Sequence, residues 1–123
     1  MDLFGVDQPK QYNLYTLIDL FHQPRIIDGY GYANCDAQNS TEKTPTIITP
    51  PTIFVIHLSR FCGLYKLNTF VRFPVQLSIR HAVDGIDYQT GYNITSVLVH
   101  KGSRIASGHY ITFVRDSRWM ILP

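Results

Sequence analysis

A chain of 123 residues that is 45% hydrophobic and 16% charged has the composition of one globular domain or part of one, which excludes a wholly disordered segment. Eleven Lys and Arg against nine Asp and Glu leave a formal charge of +2, too little for the basic stripe that phosphate-dominated nucleic-acid binding requires. No stretch approaches the about 18 apolar residues of a membrane span, so neither nucleic acid nor membrane is an expected partner.

The first predicted element is a helix over 13–23. In YNLYTLIDLFHQP the apolar residues Leu14, Leu17, Ile18 and Phe21 recur at i, i+3, i+4 and i+7, one face of a helix. Asn13 suits its cap and Pro24 its stop. The polar stretch CDAQNSTEKTP has no period, and 33–46 is predicted as a connecting loop.

From 46 to 122 the texture changes to β-branched and aromatic runs: TIFVIHLSRF, FVRF, QLSIR, YNITSVLVH, HYITFVR and RWMIL. These predict a mostly antiparallel sheet, with the helix packed beside it through its four apolar residues. Asp84-Gly85 and Asp116-Ser117 are tight-turn signals, whereas KGSRIASG predicts a longer loop before HYITFVR. One helix followed by strands gives an α+β class.

Cys35 and Cys62 are too few for a disulfide framework. The start, MDLFGVDQPK, lacks a basic region followed by an apolar one, so the expectation is an intracellular protein, cytoplasmic or nuclear, with free thiols. The sequons at Asn39 and Asn93 carry no meaning in that compartment.

His109, in SGHYITFVR, is compatible with two roles: a general base of near-neutral pKa, or a polar residue where a loop enters a sheet. Gly108 and Gly102 would let another backbone approach closely there.

The order of features is more specific than any one of them. The helix, YGYANC, TEK, IHLSRF (Ile56 to Phe61), Phe73-Pro74, the His100 and Gly102 pair, SGHY (Ser107 to Tyr110) and Trp119 follow in sequence. Together they resemble the C-terminal portion of the ubiquitin-specific protease domain, a family of papain-like cysteine deubiquitinases, over nearly the whole chain.

That resemblance implies a partial papain-like domain spanning 1–123, a thiol-dependent hydrolysis after the last ubiquitin glycine, and ubiquitin or a ubiquitinated protein as partner. It makes His109 the catalytic imidazole. It places His100, Gly102, Gly108 and Tyr110 beside the ubiquitin tail; for His100 a solvent-facing strand end is the competing reading.

Departures from the family pattern are equally informative. The residue that orients the imidazole falls four after the Trp, at Pro123, which has no side-chain acceptor. Asp116 is nearby, but in a turn. Nothing before Leu14 resembles the Cys box of the nucleophile, and Cys62 shows no helix start or partner that would activate it. Of the zinc ligands of many family members, Cys35 matches one position, and Tyr32 takes the other of that pair with two residues between them, Tyr30 standing before both; one thiolate cannot hold zinc, so no metal or other cofactor is expected. His57 reads as a satisfied sheet histidine.

Three readings follow. The chain is a fragment of a deubiquitinase that carries the His without the Cys, a non-catalytic ubiquitin-binding or scaffolding module of the same descent, or an unstable gene fragment.

Overall fold

A computed structural model of the chain describes residues 11–30 and 39–122. Strand β1 (Tyr12–Asn13) leads directly into helix α1 (Leu14–Phe21). Asn13 caps the helix, its Oδ1 accepting the Tyr15 N–H at 2.9 Å, and His22 closes it by donating its N–H to the Ile18 carbonyl at 3.1 Å. The predicted span of 13–23 thus overshoots only by capping residues and the turn before Pro24.

The predicted helix face is only partly covered. Leu14, Leu17 and Ile18 are half-buried, but Phe21 is 57% exposed, so it does not pack on the sheet as expected. Phe21 meets the His22 ring edge-on instead.

That hairpin is β7 (Gln76–Val83) with β8 (Ile86–Asn93), an unbroken antiparallel ladder from Gln76–Asn93 to Val83–Ile86. Asp84 and Gly85 turn it with φ of 51° and 78°, the two left-handed residues of a type I′ turn. On β7, Leu77, Ile79 and His81 alternate inward with Ser78 and Arg80 outward. Ile79, at 1% exposure, is the one fully buried hydrophobic among the described residues. The Ser78 N–H donates to the Tyr15 hydroxyl at 3.2 Å and ties the hairpin to α1.

Strands β2 (Arg25–Tyr30) and β3 (Asn39–Lys43) form a separate antiparallel ribbon with a bulge between Ile27 and Tyr30. The ribbon corrects the loop expected over 33–46, because 39–43 is strand; 33–38 lie outside the described residues. Backbone pairing with β2 forms this strand although NSTEK has no apolar alternation to announce it.

A five-stranded antiparallel sheet has the order β11-β10-β9-β5-β4, where β4 is Phe61–Cys62, β5 is Tyr65–Lys66, β9 is Ser96–Arg104, β10 is Ser107–Arg115 and β11 is Trp119–Leu122. A short parallel pair joins β1 to β6 (Val71–Arg72). The strands are therefore distributed over four sheets, and the single sheet expected over 46–122 is not formed.

The larger correction is TIFVIHLSRF. Only Phe61 at its end is in a strand, and 44–60 contains none. Side chains hold this run: the Phe54 and Tyr92 ring centroids are 5.2 Å apart, and the Tyr92 hydroxyl donates to the Pro51 carbonyl at 2.6 Å. Before Phe61 no strand ladder pairs with the backbone of this run among the described residues, although the Leu67 N–H donates to the Arg60 carbonyl at 2.6 Å, and Ile53 and Val55 are 79% and 83% exposed. His57 is exposed here too, so it is not the sheet histidine expected.

Large hydrophobic side chains stand exposed across the described residues, among them Ile53, Val55, Leu64, Leu98 and Ile121. Hydrophobic faces that a closed domain would cover are open. Among the described residues no helix is long and apolar enough to cross a membrane.

Candidate functional site

The candidate site is built on the hairpin of β9 and β10. Register runs from Ser96 opposite Val114 to Lys101 opposite His109, then slips at a bulge before Arg104 meets Ser107. The longer loop expected over KGSRIASG is in fact mostly strand, closed by Ile105 and Ala106 alone. Neither of these two has positive φ, so the turn lacks the primed geometry that matches strand twist. The backbone compensates a few residues away: Gly102 has φ of 149° and Gly108 of 138°.

Both glycines are also packed tightly. A Cβ on Gly108 would clash with the Lys101 carbonyl and come within 2.6 Å of the His100 Nε2; one on Gly102 would lie 2.8 Å from the Ser107 carbonyl. The two Gly positions are thus required by the bulge itself.

His100 is half-buried, not the solvent-facing strand end of the competing reading. Its ring stands 5.1 Å from that of Tyr110 and 5.7 Å from that of Phe61, centroid to centroid. Its Nε2 is 3.2 Å from the Ser107 carbonyl oxygen, and its own carbonyl accepts from the Lys66 ammonium. Phe61 and Ser107 were visible only as members of the IHLSRF and SGHY motifs and Lys66 was not singled out; that the three converge on His100 shows only in the folded sheet.

His109 is exposed and opposite Lys101. Successive strand residues point to opposite faces, so His109 projects away from the face on which Tyr110 and His100 meet. Among the described residues the imidazoles of His22 and His100 make hydrogen bonds, and that of His109 makes none.

Asp116 cannot orient His109. It sits in the turn between β10 and β11, where its N–H donates to the Arg118 carbonyl at 3.2 Å, seven residues or about 23 Å along the strand. Pro123 lies outside the described residues. Cys62 is exposed on β4, three strands from β10 and so at least about 14 Å from His109, too far for a thiolate–imidazole pair.

Tyr32 and Cys35 of the zinc comparison are outside the described residues. Among the described residues no three His, Cys, Asp or Glu side chains gather as metal ligands.

One capped helix beside antiparallel hairpins carries the Gly-His-Tyr step at the head of β10. The chain belongs to the ubiquitin carboxyl-terminal hydrolase family, whose sequence model matches residues 11–122. It is 32% identical to ubiquitin hydrolase B of Dictyostelium discoideum over 108 residues, covering 84% of this chain and 24% of that protein. It is equally 32% identical to ubiquitin carboxyl-terminal hydrolase 25 of Arabidopsis thaliana, covering 80% of this chain and 16% of that one. A solved structure of the SAGA Ubp8/Sgf11/Sus1/Sgf73 DUB module matches with a TM-score of 0.73 and 26% identity, over 89% of this chain and 27% of its own. The chain thus spans no more than a quarter of the two curated relatives named.

Proposed function

We propose that these residues are the C-terminal portion of a papain-like deubiquitinase catalytic domain, contributing the histidine and the sheet that grips ubiquitin. The observation that carries this reading is the placement of His109: exposed, at the head of β10, on the face opposite the packed rings of His100 and Tyr110. Gly102, Gly108 and Tyr110 line the path of the ubiquitin tail, with His100 beside them.

In the reaction, His109 removes the proton of a cysteine thiol held by a Cys box outside these 123 residues. The thiolate attacks the carbonyl carbon of the terminal ubiquitin glycine. The tetrahedral intermediate collapses as the C–N bond breaks, and His109 returns the proton to the leaving amine. Water, deprotonated by the same imidazole, then cleaves the thioester. No cofactor enters any step, and the partner is ubiquitin or a ubiquitinated protein inside the cell.

The test combines residues 1–123 with a Cys-box segment of the family. Labelling by a ubiquitin probe that traps active-site thiols, and hydrolysis lost in His109→Ala, support the reading; hydrolysis that persists in His109→Ala overturns it.

A second reading, a non-catalytic ubiquitin-binding module, draws on the absence of an orienting acceptor for His109 among the described residues. Ubiquitin binding by the chain, with no hydrolysis when the Cys-box segment is added, would favour it.

A further inference from the structure

The ring of His100 occupies a notch that only two glycines can leave. The position a Cβ would take on Gly108 is 2.6 Å from Nε2, and the one on Gly102 is 3.2 Å from Cε1. Tyr110 and Phe61 flank the same ring at 5.1 and 5.7 Å. The Lys66 ammonium, donating to the His100 carbonyl, ties this point to β5.

The hydrogen-bonding pattern selects one tautomer. Nε2 faces the Ser107 carbonyl oxygen at 3.2 Å, and a carbonyl only accepts, so the proton must be on Nε2. The other nitrogen, Nδ1, is buried with no partner among the described residues. A proton there would have no acceptor, whereas a bare lone pair leaves no donor unsatisfied.

We propose that His100 is a positioning residue: a neutral, Nε2-protonated imidazole that wedges the notch between Gly102 and Gly108, holds the bulge, and so turns His109 to the opposite face. The bulge matters because a slip of one residue in register reverses which face each side chain takes. Without the wedge, His109 and Tyr110 would exchange faces or alternate between them. The Ser107 carbonyl is the lever, since it lies just before Gly108, where the register shifts. This role rests on His109 being the reacting imidazole, but its test involves neither ubiquitin nor a thiol.

Nitrogen-detected NMR of the full chain reads the His100 tautomer directly, with the Nε2–H form expected; the Nδ1–H form would overturn the proposal. Three variants extend the test. Gln carries its amide nitrogen about as far from the backbone as Nε2, and Asn about as far as Nδ1. Amide exchange at His109 and Tyr110 should stay near wild type in His100→Gln and quicken about tenfold or more in His100→Asn and His100→Ala. Exchange in the β7–β8 hairpin should remain constant in all three and reports that each variant is folded. Equal protection in the Asn and Gln variants, or wild-type protection in the Ala variant, would show that the Nε2–Ser107 bond does not hold the bulge. If a variant loses the β7–β8 hairpin as well, the wild-type tautomer alone decides.

Discussion

His100 and Tyr110 stand opposite each other across the β9–β10 ladder, ring centroids 5.1 Å apart, while His109, one residue before Tyr110, turns away from both. Two histidines that the sequence places nine residues apart are thereby divided between the two faces of one hairpin. One packs among aromatic rings and a backbone carbonyl; the other is left to solvent and to whatever approaches the sheet. The division depends on the bulge beside Gly108, and the first prediction concerns that residue.

Gly108→Ala should disrupt the head of β10. Its φ of 138° strains any L side chain, and the added methyl would meet the Lys101 carbonyl and the His100 ring. The expected local loss is about 1–3 kcal/mol, read as faster amide exchange at residues 107–111. Unchanged protection would mean that the bulge tolerates a Cβ.

Gly85 and Gly91 separate conformational strain from steric contact, because a Cβ on either meets nothing within 4 Å. Gly85→Ala should still destabilise the β7–β8 hairpin, by about 1–2 kcal/mol, since φ there is 78°. Gly91→Ala, free of positive φ, should be neutral or stabilising by up to about 1 kcal/mol. Denaturant unfolding followed on this hairpin should rank Gly85→Ala clearly below Gly91→Ala.

These contrasts also explain what was legible in the sequence. Asp84-Gly85 announced its turn because the left-handed residues are the turn residues themselves. At Ile105-Ala106 the turn is carried by residues with no turn signature, and the strain is moved to Gly102 and Gly108, so KGSRIASG read as a loop. Helix α1 was legible because its cap and apolar spacing are local. Its partial burial was not, since covering Phe21 requires a neighbour that no local pattern specifies. The same holds for TIFVIHLSRF: alternation and β-branching describe a strand, but a ladder also needs a second strand, and none pairs with 44–60 among the described residues. The Gly-His-Tyr step was visible as a motif, whereas the separation of His100 from His109 by face appeared only with the register.

Asn13→Ala should cost about 1 kcal/mol of helix stability by removing the acceptor for the Tyr15 N–H. His57→Ala, at an exposed position outside any strand, should change stability by no more than about 0.5 kcal/mol. Circular dichroism during urea unfolding can measure both; a larger loss for His57→Ala would mean that the ring is covered in solution.

Purified protein should carry no stoichiometric zinc, because Tyr32 takes a position where many family members have a thiolate and Cys35 alone cannot complete four ligands. Elemental analysis finding about one zinc per chain would contradict this and would call for ligands from elsewhere.

The last prediction separates the two cysteines from the chemistry. Cys62 is exposed, so simple thiol reagents should alkylate it readily. A ubiquitin probe makes a stricter demand, for a thiolate next to the bound tail and within proton-transfer reach of an imidazole. Cys62 lies three strands from His109, at least about 14 Å away, and fails that demand. Residues 1–123 alone should therefore react with iodoacetamide but remain unlabelled by the ubiquitin probe. Supplying the Cys-box segment should restore probe labelling at the added cysteine, and His109→Ala should then reduce hydrolysis by about two to four orders of magnitude, as expected for loss of a general base. Cys62→Ala should leave that hydrolysis unchanged. Probe labelling of the unaided chain that disappears in Cys62→Ala would instead place the nucleophile on β4, and the hairpin would have to reorganise to bring His109 to it.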